Sequence, residues 1–263
     1  MNVLFVGDIV GKGGRKAVES LVPLLRHEFV CSFCIANAEN IAGGAGVTKK
    51  CLETLKDSID VFTLGDHVWD QKGFDTEIKS EKSVIRPANL NKKQPGEGFN
   101  IFRIPAGGEI AVINLLGRVF MKDSAFSPFD TVDEILLKIP SRIKTIFVDM
   151  HAEATSEKIA MGRYLDGRVT AVLGTHTHVQ TADAQIFPGG TAYLTDVGMV
   201  GADTSVLGRK VEDVIYKFTT DMPCRLNVVE NGLIRLDAAV VTFDMHTGKA
   251  TALKTVSRKI DIP

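Results

Sequence analysis

The chain has no surplus of charge of either sign. Among its 263 residues, 31 lysines and arginines stand against 32 aspartates and glutamates, for a net charge of -1. That balance argues against a protein whose main affinity comes from neutralising a phosphate backbone, so nucleic acid is left as a substrate rather than a scaffold. Long hydrophobic runs are also missing. The opening Met1-Asn2-Val3-Leu4-Phe5-Val6-Gly7-Asp8 has no basic flank, and its apolar stretch is too short for a signal sequence or a membrane span. It reads instead as a buried first strand. Cysteine is scarce, four residues in all. Cys31 and Cys34 have C-x-x-C spacing, but Cys31-Ser32-Phe33-Cys34-Ile35-Ala36 reads as a strand in which an odd separation puts the thiols on opposite faces. Structural cysteines in a reducing cytoplasm, with no membrane association, are the expectation. Linkers, repeats and low-complexity tracts are absent, so residues 1–263 read as a single domain with a well-buried core.

What is present is an alternation of short β-branched runs, each ending abruptly in polar or glycine residues, with helical segments. Val3–Val6 ends at Gly7-Asp8, and Arg15–Phe29 follows with helical spacing and Pro23 inside it. Ser32–Ala36 ends at Asn37-Ala38-Glu39-Asn40; a loop with Gly43, Gly44 and Gly46 leads to Thr48, a helix cap. Asp60–Leu64 ends at Gly65-Asp66-His67. Thr145–Val148 ends at Asp149-Met150-His151, a helix spans Glu153–Leu165, and Val169–Leu173 ends at Gly174-Thr175-His176-Thr177-His178. Asn100–Ile104 and Glu109–Asn114 read as a hairpin, and the tail from Arg225 to Arg258 is strand-rich. A mixed sheet, or two sheets packed face to face between helices, fits this α/β pattern.

Five strand ends thus deliver metal-ligand side chains: Asp8; Glu39 and Asn40; Asp66 and His67; His151; His176 and His178. Strand carboxyl ends line the ligand crevice of α/β sheets, so these distant residues are expected to converge. His27 and His246 follow no strand and read as surface residues. Carboxylate, amide and imidazole donors without thiolates suit Zn, Mn, Fe or similar ions, and the donors exceed what one ion needs. Two ions sharing Glu39 would activate a water for in-line attack on a phosphate ester, with His67 as the candidate proton donor. His176 and His178 share a face if the segment is extended, or serve neighbouring ions if it turns. Gly7 to Gly14 fits no nucleotide-cradling pattern and reads as a tight turn beside the site. Gly198 to Ser205 reads either as a phosphate-facing loop or as a structural turn or subunit contact.

The motifs Gly7-Asp8-Ile9-Val10-Gly11, Asn37-Ala38-Glu39-Asn40, Leu64-Gly65-Asp66-His67-Val68-Trp69-Asp70, Asp149-Met150-His151-Ala152-Glu153 and Gly174-Thr175-His176-Thr177-His178-Val179-Gln180-Thr181 occur in this order. Tyr193-Leu194-Thr195-Asp196-Val197-Gly198-Met199, leading to Ser205-Val206-Leu207-Gly208, completes the set. Together they resemble the calcineurin-like metallophosphoesterases, and within them the YmdB-type bacterial phosphodiesterases of 2',3'-cyclic nucleotides. The resemblance implies an αββα sandwich with two central mixed β-sheets flanked by helices. It also implies two metal ions, Fe or Mn with Zn as an alternative, a small cyclic nucleotide or RNA ends as substrate, and a homo-oligomer. On that pattern Asp8, Glu39 and His178 serve one ion, Glu39, His151 and His176 the other, Asn40 is an additional ligand and His67 the proton donor. The superfamily's first motif is D-x-H, but Val10 stands at its third position. The YmdB-type enzymes are similar in this and use a Glu-Asn pair, matched by Glu39 and Asn40, so the one departure is Asp66, where the family carries asparagine in G-N-H; the added charge predicts a weaker Lewis acid. A phosphomonoesterase or nucleotidase, and a regulatory RNA-linked protein with a weakened metal site, are the competing expectations.

Overall fold

The computed structural model describes residues 1–122 and 125–263. Its first half runs β1 (Asn2–Val6), β2 (Asp8–Ile9), α1 (Gly11–Glu28), β3 (Cys31–Asn37), α2 (Lys49–Glu53), β4 (Val61–Thr63), α3 (Phe74–Glu77), β5 (Val84–Ile85), β6 (Phe99–Arg103) and β7 (Glu109–Leu116). The second half runs α4 (Pro128–Leu136), β8 (Ile146–His151), α5 (Thr155–Tyr164), β9 (Ala171–Thr175), β10 (Gln185–Ile186), β11 (Ala192–Leu194), β12 (Met199–Ala202), α6 (Val211–Thr220), β13 (Gly232–Phe243) and β14 (Ala250–Ile262). These strands make two mixed sheets. One has the order β2-β12-β13-β1-β3-β4-β5 with β14 paired to β13, the other β10-β11-β9-β8-β7-β6.

Side-chain alternation along the strands builds three apolar layers from these two sheets. Val3 and Phe5 of β1, Phe33 and Ile35 of β3, Val112 of β7, Phe147 of β8 and Leu173 of β9 fill the space between the sheets. Leu4 and Val6 point the other way, onto Val18, Val22 and Leu25 of α1. Ile113, Val148 and Met150 point outward from the second sheet, with Val132 of α4 and Met161 of α5 among their cluster. The result is an αββα sandwich. Phe147 and Phe243 meet edge to face across its centre, with centroids 5.8 Å apart.

Parallel pairing decides where the functional residues go. β1, β3 and β4 run parallel in the first sheet, and β7, β8 and β9 in the second. Their carboxyl ends meet at one edge of the sandwich, where Asn37 Nδ2 and Thr63 Oγ1 both donate to Asp149 of β8, at 3.2 and 2.5 Å.

Several local expectations need correction. Helix α1 starts at Gly11 rather than Arg15, so Gly11, Gly13 and Gly14 are its first turn, and Gly11 N, donating to the Asn40 carbonyl at 2.9 Å, keeps that turn beside the site. The glycines allow close packing instead: a Cβ on Gly14 would lie 2.4 Å from the Val200 carbonyl oxygen, and one on Gly13 2.5 Å from that of Glu230. Half of the stretch from Gly198 to Ser205 is strand β12, whose pairing with β2 and β13 makes it structural and not a phosphate loop. Cys31 and Cys34 pack into the same core cluster, because the β1–β3 register shifts between Asn2 and Val3 and cancels the alternation. Both thiols are free and buried, and burial raises the Cys31 pKa to about 11, which suits structural rather than redox cysteines. The hairpin of β6 and β7 and the cap at Thr48, whose Oγ1 accepts from the Cys51 N–H at 3.3 Å, match expectation. His27 and His246 are exposed.

Candidate metal centre

Strand ends carry all the candidate ligands to one place. Asp8 begins β2, Glu39 and Asn40 follow β3, and Asp66 and His67 follow β4. His151 is the last residue of β8, while His176 and His178 follow β9. Asp8, Glu39 and His151 are fully or almost fully buried, Asn40 nearly so. His67 is the more exposed member, its side chain 33% accessible.

One group comprises Glu39, Asp66, His151 and His176, each offering a donor atom within 4.8 Å of all the others. His151 Nε2 lies 3.1 Å from Asp66 Oδ1, 3.3 Å from Glu39 Oε1 and 3.1 Å from His176 Nδ1. His176 Nδ1 lies 3.3 Å from the same Asp66 oxygen. An ion about 2.1 Å from each donor would hold neighbouring donors about 3.0–3.4 Å apart in octahedral or tetrahedral geometry. The observed edges fall in that range. The backbone also approaches closely there, since a Cβ on Gly65 would sit 2.2 Å from both Glu39 Oε2 and His151 Nε2. This position has room only for glycine.

A second group adjoins the first. His178 Nε2 is 3.7 Å from Asp8 Oδ1 and 3.3 Å from Asn40 Nδ2, which in turn donates to Glu39 Oε1 at 3.1 Å. Asp8 Oδ1 is buried and finds no hydrogen-bond partner. A buried carboxylate oxygen left bare is costly, and a cation is what would satisfy it. Both groups therefore fit divalent metal, and Glu39 stands between them.

Backbone and outer-shell contacts fix these side chains. His176 and His178 both take left-handed backbone, at φ 100° and 62°, so the segment turns rather than extends and the two rings diverge. The strain is held by Asp196, whose Oδ2 accepts from Thr177 N at 3.0 Å, from Thr177 Oγ1 at 2.7 Å and from Lys158 Nζ at 2.7 Å. Asp196 Oδ1 accepts from Gly198 N, and the Gly198 carbonyl accepts from Asp8 N at 3.0 Å. One buried carboxylate thus connects the histidine turn to Asp8. On His151, Nδ1–H donates to Thr175 Oγ1 at 2.8 Å, and that hydroxyl donates to Asp149 at 2.7 Å, which leaves Nε2 facing the centre. On His178, Nδ1–H donates to the Leu207 carbonyl at 3.3 Å with the same consequence. Glu153 Oε2 lies 3.2 Å from His176 Nε2.

Electrostatics follow from this crowding. Burial pushes the Asp66 carboxyl up, but hydrogen bonds from His151 and His176 outweigh it and hold the group well below the usual range. For Asp8 burial dominates and raises the carboxyl, and the attraction of His151, which lowers it, does not offset that. Burial also lowers His178 to about 4, so its imidazole is a neutral donor at pH 7. His67 stands apart from both groups: its N–H donates to Glu39 Oε2 at 3.1 Å and its Nδ1 lies 2.7 Å from Asp70 Oδ2. An open cavity of about 350 Å³ lies over the centre, lined by Glu39, His67, His176 and His178 among others.

The sequence pointed to the candidate residues that meet here but gave no role to Asp196, Lys158 or Glu153. For Asp149 a signal existed: it lies two residues before His151 on one strand, hence on the same face. Lys158 carried none, because a lysine in a helix reads as solvated until its burial is seen.

Comparison with known proteins agrees with this architecture. The family described as YmdB-like protein matches residues 4–256. The 2',3'-cyclic-nucleotide 2'-phosphodiesterase of Bacillus subtilis is 44% identical over 257 residues, 97% of this chain and 96% of that protein. The crystal structure of a phosphatase from Mycoplasma pneumoniae superposes with a TM-score of 0.92 at 34% identity, covering 100% of this chain and 95% of that one. The calcineurin-like phosphoesterase YfkN of Bacillus subtilis, 10% identical, matches 99% of this chain and 90% of its own with a TM-score of 0.51, and shares the fold alone. The chain belongs to the YmdB-like family and has the calcineurin-like phosphoesterase fold.

Proposed function

We propose that this chain is a metal-dependent phosphodiesterase of small 2',3'-cyclic nucleotides, with residues 1–263 acting as one catalytic domain. The observation that carries the reading is the pair of adjoining donor groups that share Glu39 at the floor of an open cavity. The substrate class is supported by the Bacillus subtilis relative. We assign Glu39, Asp66, His151 and His176 to one ion and Asp8, Glu39, Asn40 and His178 to a second. Divalent ions bound here would supply Lewis-acid polarisation of the phosphoryl oxygens and lower the pKa of a water. Fe or Mn, with Zn as the alternative, suits donors that include three carboxylates and no thiolate.

The remaining chemistry belongs to the protein. Asp196 and Asp149 hold the imidazoles in place, so little reorganisation is needed when substrate arrives. Hydrolysis forms one P–O bond from water and breaks one ring ester bond, giving a nucleoside monophosphate. His67 gives a proton from Nε2 to the departing ribose oxygen, and Asp70, 2.7 Å from Nδ1, holds the ring in orientation for it. RNA ends bearing the same cyclic phosphate present the same ester. A homo-oligomer in the cytoplasm completes the reading; free thiols at Cys31, Cys34, Cys51 and Cys224 support the reducing compartment, and no helix among the described residues is long and apolar enough to cross a membrane.

A phosphomonoesterase is the second reading, favoured by the phosphatase from Mycoplasma pneumoniae, and it would use the same donors. Turnover of 2',3'-cyclic AMP, 3',5'-cyclic AMP and 5'-AMP separates the two. The proposal expects the first to be the best substrate and Glu39→Gln to abolish its hydrolysis. Preference for 5'-AMP, or full activity in the variant, contradicts it.

A further inference from the structure

The cavity over the metal centre has a lining of two kinds. His67, His176 and His178 are polar, whereas Leu207, Phe218 and Leu226 are apolar. Val214 and Phe218, one turn apart on α6, both face it; Val214 is buried, whereas Phe218 is left 75% exposed. Metal and phosphate chemistry accounts for the polar residues. Neither gains anything from an aromatic ring and two leucines in the same lining, and a ring this exposed adds little to the core.

A cyclic nucleotide has the same division of chemistry, an anionic ester at one end and a flat apolar face at the other. We propose that Phe218, with Leu207 and Leu226 beside it, is the platform on which the substrate's nucleobase stacks. The inference rests on the phosphodiesterase reading and adds how that enzyme chooses its substrate. A volume of about 350 Å³ is at the small end for ligand pockets, which suits one nucleotide. The platform is also tied to the centre. Leu207, at φ 53°, offers the carbonyl that receives His178 Nδ1–H, so the wall and a metal-facing ring are set by one contact. Arg209 donates to the Leu226 carbonyl at 3.0 Å and to that of Gly44, which joins the wall to the loop after Glu39 and Asn40. Stacking on a ring face is available to every base, so purines and pyrimidines are both accepted, with purines favoured by overlap.

The test is steady-state kinetics of the metal-loaded protein on 2',3'-cyclic AMP, 2',3'-cyclic CMP and base-free ribose 2',3'-cyclic phosphate. Phe218→Ala, at an exposed position, leaves the fold intact. It is expected to raise KM for cyclic AMP about tenfold, with a smaller rise for cyclic CMP, since one base stack is lost. The base-free ester keeps its KM, kcat stays within about twofold, and Phe218→Tyr restores the wild-type KM. Ile215→Ala, on the same helix but outside the cavity, changes nothing. Intact turnover of cyclic AMP with an unchanged KM in Phe218→Ala, or an equal rise for the base-free ester, overturns the platform alone. Failure of the wild-type protein to hydrolyse any of the three overturns the phosphodiesterase reading together with it.

Discussion

Gly65 offers the sharpest perturbation of the centre, because alanine adds one methyl group to a place already occupied. Its backbone is not in the left-handed region, so the effect of Gly65→Ala is steric and not conformational. The new Cβ would lie 2.2 Å from Glu39 Oε2, 2.2 Å from His151 Nε2 and 2.4 Å from His151 Cδ2, where ordinary contact begins at 3.4 Å. Relief requires both side chains to move by about 1 Å. Neither has free space, since Glu39 is 1% and His151 0% exposed. Overpacking of this kind costs about 1–3 kcal/mol, which at about 2–4 °C per kcal/mol lowers the Tm by roughly 2–12 °C. Function should suffer more than stability. Misplacement by 1 Å costs on the order of 100-fold in rate, and disturbed support of metal ligands costs about 10–100-fold in affinity. Calorimetric metal titration and turnover of 2',3'-cyclic AMP, with circular dichroism to verify folding, measure all three. A folded Gly65→Ala variant with wild-type metal affinity and turnover would refute the reasoning, because it would mean that Glu39 and His151 need not be where the structure has them.

Further outcomes follow from neighbouring contacts. Asp66→Asn removes one negative charge from a group of donors, so the pH profile of turnover should shift to lower pH as bound water becomes more acidic; identical profiles and metal content would contradict the charge argument. Asp196→Asn leaves Lys158 buried without its counter-charge and should cost about 3–5 kcal/mol in urea unfolding. The double variant Lys158→Met, Asp196→Leu should recover stability while metal affinity stays about 10–100-fold reduced, and recovery of both would make Asp196 merely structural. His178 sets a pH dependence in the metal-free protein. Burial lowers its pKa to about 4, whereas the unfolded side chain titrates near 6.5. Its contribution to stability is therefore complete above pH 6.5 and lost as pH falls from 6.5 towards 4, on the order of 3 kcal/mol. His178→Gln should flatten the stability curve across that window, and an unchanged slope would contradict it.

The candidate ligands were legible in sequence because each lies within a few residues of the end of a β-branched run, and strand polarity carries such residues to one edge. The two-layer sandwich was legible only as an option, since alternation shows that a strand has two faces and not what covers them. Phe5 and Leu4 read alike; only the structure puts one between the sheets and the other under α1. Cys31 was misplaced because one register shift inverts a face, and no residue type marks that shift. Gly13 and Gly14 were taken for a turn because glycine marks close approach as well as flexibility. Helix α6 carries Val211, Val214, Ile215 and Phe218 at helical spacing and was readable, but that stripe was passed over, and only Val214 of it is buried. Lys158 and Phe218 invert the usual rule, a buried lysine and an exposed phenylalanine, and both lie next to the functional cavity or its support.

Anomalous diffraction from crystals of the manganese-loaded protein tests the central claim most directly. Two peaks are expected, one among Glu39, Asp66, His151 and His176 and the other among Asp8, Asn40 and His178, with Glu39 between them. A single peak, or peaks away from these side chains, would contradict the shared dinuclear centre.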